Sequence, residues 1–154
     1  MIAIIVAVDK NNLIGRGDGL PWNFGEDLLY FKKKTMGKFV VMGERTYRGI
    51  KKNLKGRKII VLSDDKNFQE EDVFIARSIE EAISISQGEL MVAGGRMVYE
   101  QFLKIADRLY LTVIDKSFEG DVYFPKIEEK EWILTGEERG KNSVLTFKVF
   151  DRCN

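Results

Sequence analysis

Short runs rich in β-branched residues recur along this chain, at Ile2–Val8 and at residues 39–42, 58–62, 73–75, 90–93 and 109–114. Between them lie segments with the apolar period of a helix, at 26–35, 44–50, 78–86 and 96–105. In the first of these Phe24, Leu28 and Phe31 share one face; in the third, Ser78 stands as N-cap with Glu81 completing a capping box. Such alternation predicts a mostly parallel central sheet with crossover helices. The tail changes character, because 131–135 and 144–150 flank a charged, glycine-containing turn and read as an antiparallel hairpin. No repeat or linker divides the 154 residues, so one α/β domain spanning 1–154 is expected. Ligands of such sheets bind beyond the carboxyl ends of the strands. The loop after Val8, the Gly43 turn, residues 63–65 and Gly94-Gly95 therefore hold the candidate site.

The chain has no His and a single Cys, Cys153. That excludes a Ser-His-Asp triad, a Cys-His pair and the usual zinc ligand sets, and no metal site is expected. Asp64-Asp65 and Glu70-Glu71-Asp72 read as solvated loop acids. Proton chemistry near neutral pH then falls to a carboxylate, Lys, Tyr, the lone thiol or water. With 25 basic against 24 acidic residues, the chain carries no general attraction for nucleic acid or membrane. Ile2–Val8 is too short to span a bilayer, which takes about 20 residues, and lacks the basic start of a signal peptide. A cytoplasmic location is expected.

Asp27 is the acid to weigh. It lies beside the apolar face carrying Phe24, Leu28 and Phe31, with no cation three or four residues away. A carboxyl desolvated there would have a raised pKa and could handle protons near neutrality. The alternative is an ordinary first-turn acid that complements the helix dipole. Spacing leaves both open. Gly43-Glu44-Arg45-Thr46 and Gly94-Gly95-Arg96 each join a strand to a helix. There glycine allows close backbone approach, and helix-start N–H groups suit an anion. Together they could hold a dinucleotide pyrophosphate, or simply close tight turns. Arg57 could grip a carboxylate through two parallel hydrogen bonds, or be a solvated loop arginine.

In order and spacing, these segments resemble the dihydrofolate reductases. The resemblance rests on Leu13-Ile14-Gly15, Leu20-Pro21-Trp22-Asn23 with Asp27, Leu28 and Phe31, and Val41-Met42-Gly43 with Arg45-Thr46-Tyr47. It continues through Leu54-Lys55-Gly56-Arg57, Val61-Leu62-Ser63, Gly94-Gly95-Arg96-Met97-Val98-Tyr99 and Glu119-Gly120-Asp121. The resemblance implies reduction of 7,8-dihydrofolate to tetrahydrofolate: hydride passes from NADPH to C6 and a proton is gained at N5. Asp27 then matches the acid that binds the pterin and promotes N5 protonation, with Thr112 its hydrogen-bond partner and Trp22 ordering water. Ile5, Val6, Ala7, Leu28, Phe31, Ile50, Leu54 and Ala93 match the substrate walls, and Arg57 the group that binds the glutamate tail. Ala7, Ile14 and Leu20 match nicotinamide contacts. Gly43, Glu44, Arg45, Thr46, Leu62, Ser63, Asp64, Gly94, Gly95, Arg96, Met97, Val98 and Tyr99 match the remainder of the cofactor site.

The same resemblance implies a cis Gly94–Gly95 bond, a lid over residues 9–23 with Asp121 as its partner, antifolate binding, and a monomer. Two departures stand out. Glu44 occupies a place where arginine is common, and Asp64 one where a basic or neutral residue is typical. Acids there suit a free ribose 2′-hydroxyl, so NADPH is expected as cofactor with weakened discrimination and NADH as a second usable one. Ala93 is smaller than the residue such enzymes usually carry. Two other readings are a pterin or pyrimidine reductase of the same fold, or a non-catalytic nucleotide-binding protein. The pairing of Asp27 with Arg57 disfavours the first, and the trio Asp27, Trp22 and Thr112 the second.

Overall fold

A computed structural model describes residues 1–15 and 19–153. The chain runs through β1 (Ile2–Val8), β2 (Leu13–Gly15), α1 (Gly25–Thr35), β3 (Phe39–Gly43), α2 (Glu44–Ile50), β4 (Lys58–Leu62) and β5 (Phe74–Ala76). It continues as α3 (Ile79–Ser86), β6 (Leu90–Val92), α4 (Arg96–Leu103), β7 (Arg108–Ile114), β8 (Val122–Tyr123), β9 (Trp132–Arg139) and β10 (Leu145–Arg152). The main sheet has the order β5-β4-β3-β6-β1-β7-β10-β9. Its pairings are parallel up to β7 and antiparallel where β10 meets β7 and β9. The single α/β domain and the terminal hairpin are as the sequence predicts.

Alternation along the strands builds two cores. Ile4, Val6 and Val8 of β1 join Val41, Ile60 and Val92 beneath Ala82, Val98 and Phe102 of α3 and α4. Ala3 and Ile5 point the other way, with Val40, Met42 and Val61, toward Tyr30 and Phe31 of α1 and Tyr47 of α2. A period of two thus commits each strand residue to one layer. It also decides which β1 side chains can face α1, where Asp27 lies.

Two elements are absent from the sequence reading. β2 and β8 form a separate two-stranded sheet, pairing Leu13 with Tyr123. Strands this short carry no period, and their partners lie far apart in sequence. Gly120 shows how closely these segments pack, since a Cβ there would lie 2.5 Å from the Gly15 carbonyl oxygen. The capping box is also modified. Ser78 Oγ accepts from Glu81 N–H at 3.1 Å, but Glu81 Oε2 accepts from Arg77 N–H rather than that of Ser78.

Arg152 fastens the end of the sheet to α4. Its guanidinium donates to the Ala106 and Leu103 carbonyls at 2.7 and 2.5 Å and lies 4.5 Å from the Trp132 ring centroid. Charge-assisted bonds to helix-end carbonyls are worth about 1.5–3 kcal/mol. Arg152→Ala should therefore cost about 2 kcal/mol and lower Tm by about 4–8 °C. Differential scanning calorimetry checks this, with activity per folded molecule unchanged.

Candidate active site

Ala7 of β1 lies in register with Thr112 of β7, so a small residue and a hydroxyl stand side by side. Helix α1 begins at Gly25 with Glu26 and Asp27 in its first turn and no side-chain cap on Phe24. The two acids then diverge. Glu26 accepts from the backbone N–H groups of Lys141 and Asn142 in the β9–β10 turn, at 2.7 and 2.9 Å. Those bonds hold its carboxyl below the usual carboxylate range. Asp27 is half-buried and hydrogen-bonded to the buried hydroxyl of Thr112. Burial pushes its pKa up, the Thr112 hydroxyl partly opposes this, and the nearby Glu26 charge adds to it. Both readings of Asp27 therefore hold together: it is a first-turn acid, and it is desolvated.

Two tyrosines enclose this carboxyl and stay protonated. Tyr30 stacks on Phe147 with ring centroids 4.3 Å apart, and burial first, then neighbouring acidic groups, push it up to about 12. The Tyr99 hydroxyl donates to the Ile5 carbonyl at 2.9 Å, and burial raises its pKa. Trp22 packs 5.2 Å from Phe118, in a small core with Leu13, Ile114, Leu145 and Phe147. Its buried Nε1–H has no partner among the described residues, so the indole retains a donor for water or ligand.

The expected substrate walls divide by layer. Ile5, Phe31, Ile50, Leu54 and Ala93 gather on the α1–α2 side, and Ala7 packs against the Trp22 core. Leu28 leaves α1 with 54% of its surface exposed, as does Leu20 in the preceding loop. Apolar groups left open at a cleft suit covering by a ligand. Val6 is a correction. Strand alternation sends its side chain into the opposite core, so it can offer the α1 side only backbone. Beyond this cleft, Arg57 Nη1 donates to Thr35 Oγ1 at 3.4 Å and Nη2 to the Asn53 carbonyl. Its buried Nε has no partner among the described residues, and burial lowers its pKa.

The glycine turns meet each other. Gly94–Gly95 is cis, and Gly43 N–H donates to the Gly94 carbonyl at 2.8 Å. That bond occupies the Gly43 N–H in joining the two turns. Gly94 has φ +120°, and a Cβ on Gly95 would come within 3.2 Å of Thr46 Oγ1. Only glycine leaves this surface open to close approach. Val98, Tyr99 and Ile14 are buried in the α3–α4 core, and Val98 and Tyr99 support the turn from behind. Met97 is exposed, and Arg96 pairs with Glu100 and donates to the Tyr123 carbonyl.

At the far end Leu62 packs on the core and Asp64 is exposed. Ser63 Oγ donates to Glu44 Oε1 at 2.9 Å, while Arg48 contacts Glu44 Oε2 at 2.9 Å. Glu44, Arg45, Arg48 and Gly49 line a cavity of about 440 Å³. Arg77, unremarked in the sequence, donates to the Ser63 and Asp65 carbonyls. Arg48 stands one helical turn after Glu44, a spacing legible in the sequence, whereas no local pattern brings Arg77 to this point.

The expected lid begins at Asp9, a buried carboxylate that accepts from the N–H groups of Asn11, Leu13 and Phe118. Asp121 N–H donates to the Gly15 carbonyl. Residues 16–18 of that loop lie outside the described residues. Among the described residues, no group of three His, Cys, Asp or Glu side chains is placed to hold a metal.

A family model described as Dihydrofolate reductase matches residues 1–152. The chain is 39% identical to a dihydrofolate reductase of Bacillus subtilis, covering 91% of this chain and 84% of that one. It is 38% identical to one of Buchnera aphidicola, covering 98% of each. Identity reaches 41% with a type 3 dihydrofolate reductase of Salmonella typhimurium, over 86% of this chain and 83% of the relative. Among solved structures, dihydrofolate reductase from Enterococcus faecalis, complexed with NADP(H) and RAB-propyl, superposes with a TM-score of 0.91. It is 31% identical, with 100% of this chain and 97% of that one covered.

Proposed function

The chain belongs to the dihydrofolate reductase family, and from that premise and the Asp27 pocket we infer how its residues divide the work. The enzyme reduces 7,8-dihydrofolate to 5,6,7,8-tetrahydrofolate with NADPH. The observation that carries the mechanism is a desolvated carboxyl, hydrogen-bonded by Thr112, in a chain without histidine. When bound, NADPH supplies the hydride that C6 accepts. Asp27 binds the pterin edge and holds it so that N5 receives its proton through water. Thr112 fixes the carboxyl's orientation, and the unclaimed Nε1–H of Trp22 orders that water. Ile5, Ala7, Phe31 and Ile50 exclude bulk solvent. Arg57 takes the α-carboxylate of the glutamate tail.

The cofactor fits the cradle formed by Gly43, Gly94, Gly95 and Thr46, where a Cβ on Gly95 would crowd Thr46 Oγ1 at 3.2 Å and the φ of Gly94 suits glycine. No observation favours the related pterin or pyrimidine reductase, or the non-catalytic binder. The direct test is loss of reduced-nicotinamide absorbance when the protein meets dihydrofolate and NADPH; no loss would refute the reading. Antifolate binding, a monomeric state and a cytoplasmic location complete the proposal, with sedimentation and cell fractionation as their checks. Among the described residues no helix is long and apolar enough to cross a membrane.

Ala93 sets an affinity. It packs at the edge of the α1–α2 core with less volume than Ile, Val or Leu would fill. Ala93→Ile should tighten a diaminopyrimidine antifolate by about 1–2 kcal/mol, roughly 5–30-fold. A fluorescence titration measures this, and unchanged affinity would mean that a neighbour already fills the space.

A further inference from the structure

The resemblance implies that Glu44 and Asp64 face the 2′-phosphate of NADPH, and the structure shows what surrounds them. Glu44 is not a free carboxylate. Oε1 accepts from Ser63 Oγ at 2.9 Å and Oε2 forms an ion pair with Arg48 Nη2 at 2.9 Å, so one carboxylate links a hydroxyl to a guanidinium. The pair joins residues one helical turn apart, with the arginine on the C-terminal side. Glu44 is held inward, its side chain 27% exposed, whereas that of Arg48 is 64% exposed.

Arg48 is nonetheless supported. Its guanidinium lies 5.9 Å from the ring centroid of Phe68, and Phe68 is itself buried with its edge to Tyr47. It also lines two cavities, of about 440 and 280 Å³. Across the site Arg77 is fixed by the Ser63 and Asp65 carbonyls and adds a second cation beside Asp64.

Resting on the reading of the chain as an NADPH-dependent reductase, we propose that Arg48 is the residue that selects the 2′-phosphate. The Ser63–Glu44–Arg48 chain can serve either ribose. A phosphate arriving at Ser63 competes with Glu44 for the Ser63 hydroxyl and the Arg48 guanidinium, and Arg48 is the cation that offsets its repulsion by Glu44. A free 2′-hydroxyl instead donates to Glu44 and leaves the Glu44–Arg48 pair intact. Phosphate recognition therefore depends on Arg48, whereas hydroxyl recognition depends on Glu44.

Isothermal titration calorimetry of the full chain with NADP⁺, NAD⁺ and 2′,5′-ADP separates these dependences. Arg48→Gln should weaken NADP⁺ and 2′,5′-ADP by about 10–100-fold, the loss of a charge-assisted contact, and leave NAD⁺ within about twofold. Arg48→Lys should recover part of that loss, and Glu44→Gln should weaken NAD⁺ more than NADP⁺. Equal weakening of NADP⁺ and NAD⁺ by Arg48→Gln would overturn the proposal while sparing the reductase reading. Failure of the unaltered protein to bind either dinucleotide would overturn both. Thermal melting of the free variants identifies any that fail to fold, and Arg48→Lys then carries the comparison.

Discussion

Asp27→Asn should lower the rate of dihydrofolate reduction at neutral pH by about 10²–10⁴-fold, the usual worth of a positioned proton-handling group. Binding of NADP⁺ should change by no more than about twofold, because the cofactor cradle lies on other elements. The pH dependence follows from the direction of the shift. Burial raises the Asp27 pKa above its ordinary value, so the proton it helps deliver becomes scarcer as pH rises through the folded pKa. The rate of the unaltered enzyme should fall toward alkaline pH. That of the Asn variant should rise steadily toward acid, as solvent hydronium replaces the missing donor.

With pH, the Asp27 contribution to stability follows the rate downward; on substitution by Asn, stability and rate should move in opposite directions. A folded pKa above the unfolded value means that Asp27 contributes stability below the unfolded pKa. The contribution is lost as pH rises through the folded pKa. At pH values well above it the ionised, desolvated carboxylate burdens the free enzyme, and Asn removes the charge at nearly the same volume. Tm of Asp27→Asn at alkaline pH should therefore equal or exceed that of the unaltered protein, as expected where function is bought with local strain. A lower Tm alongside a lower rate would make Asp27 a structural residue.

What the sequence made legible follows from how each feature is encoded. β1, α2 and β4 carry their period within a few consecutive residues, and their observed spans match the sequence reading. β2 and β8 exist only because Leu13–Gly15 and Val122–Tyr123 find each other, which no local window contains. The site divides the same way. Asp27 was visible as an acid against an apolar face, but Thr112 entered only through the family resemblance, because β7 pairs with β1 across a hundred residues of chain. A resemblance matches positions, whereas alternation decides the face, so at Val6 only the backbone is open to the α1 side. Of the two partners of Glu44, Arg48 lies one turn on along the same helix and is legible in the spacing, whereas Ser63 arrives from the end of β4 and is not.

Arg57→Leu should raise the KM for dihydrofolate by about 30–5000-fold, corresponding to about 2–5 kcal/mol for one lost partner of a buried charge pair. The guanidinium is prepared for this task before substrate arrives. Thr35 Oγ1 donates to the Phe31 carbonyl at 2.7 Å and accepts from Arg57 Nη1, while Nη2 is tied to the Asn53 carbonyl. Burial leaves the cation poorly hydrated, which lowers its pKa and makes an incoming carboxylate a favourable partner. Because the contact lies away from Asp27, it should be as strong in the ground state as in the transition state. Uniform binding of that kind appears in KM and leaves kcat nearly unchanged. Steady-state kinetics with dihydrofolate and with a dihydropterin lacking the glutamate tail separate the two effects. Arg57→Leu should penalise only the first, whereas equal penalties would mean that Arg57 supports the fold around Thr35 and Asn53 and does not hold the tail. Arg57→Lys should recover little, since an ammonium cannot satisfy Thr35, Asn53 and a carboxylate with the geometry of a planar fork.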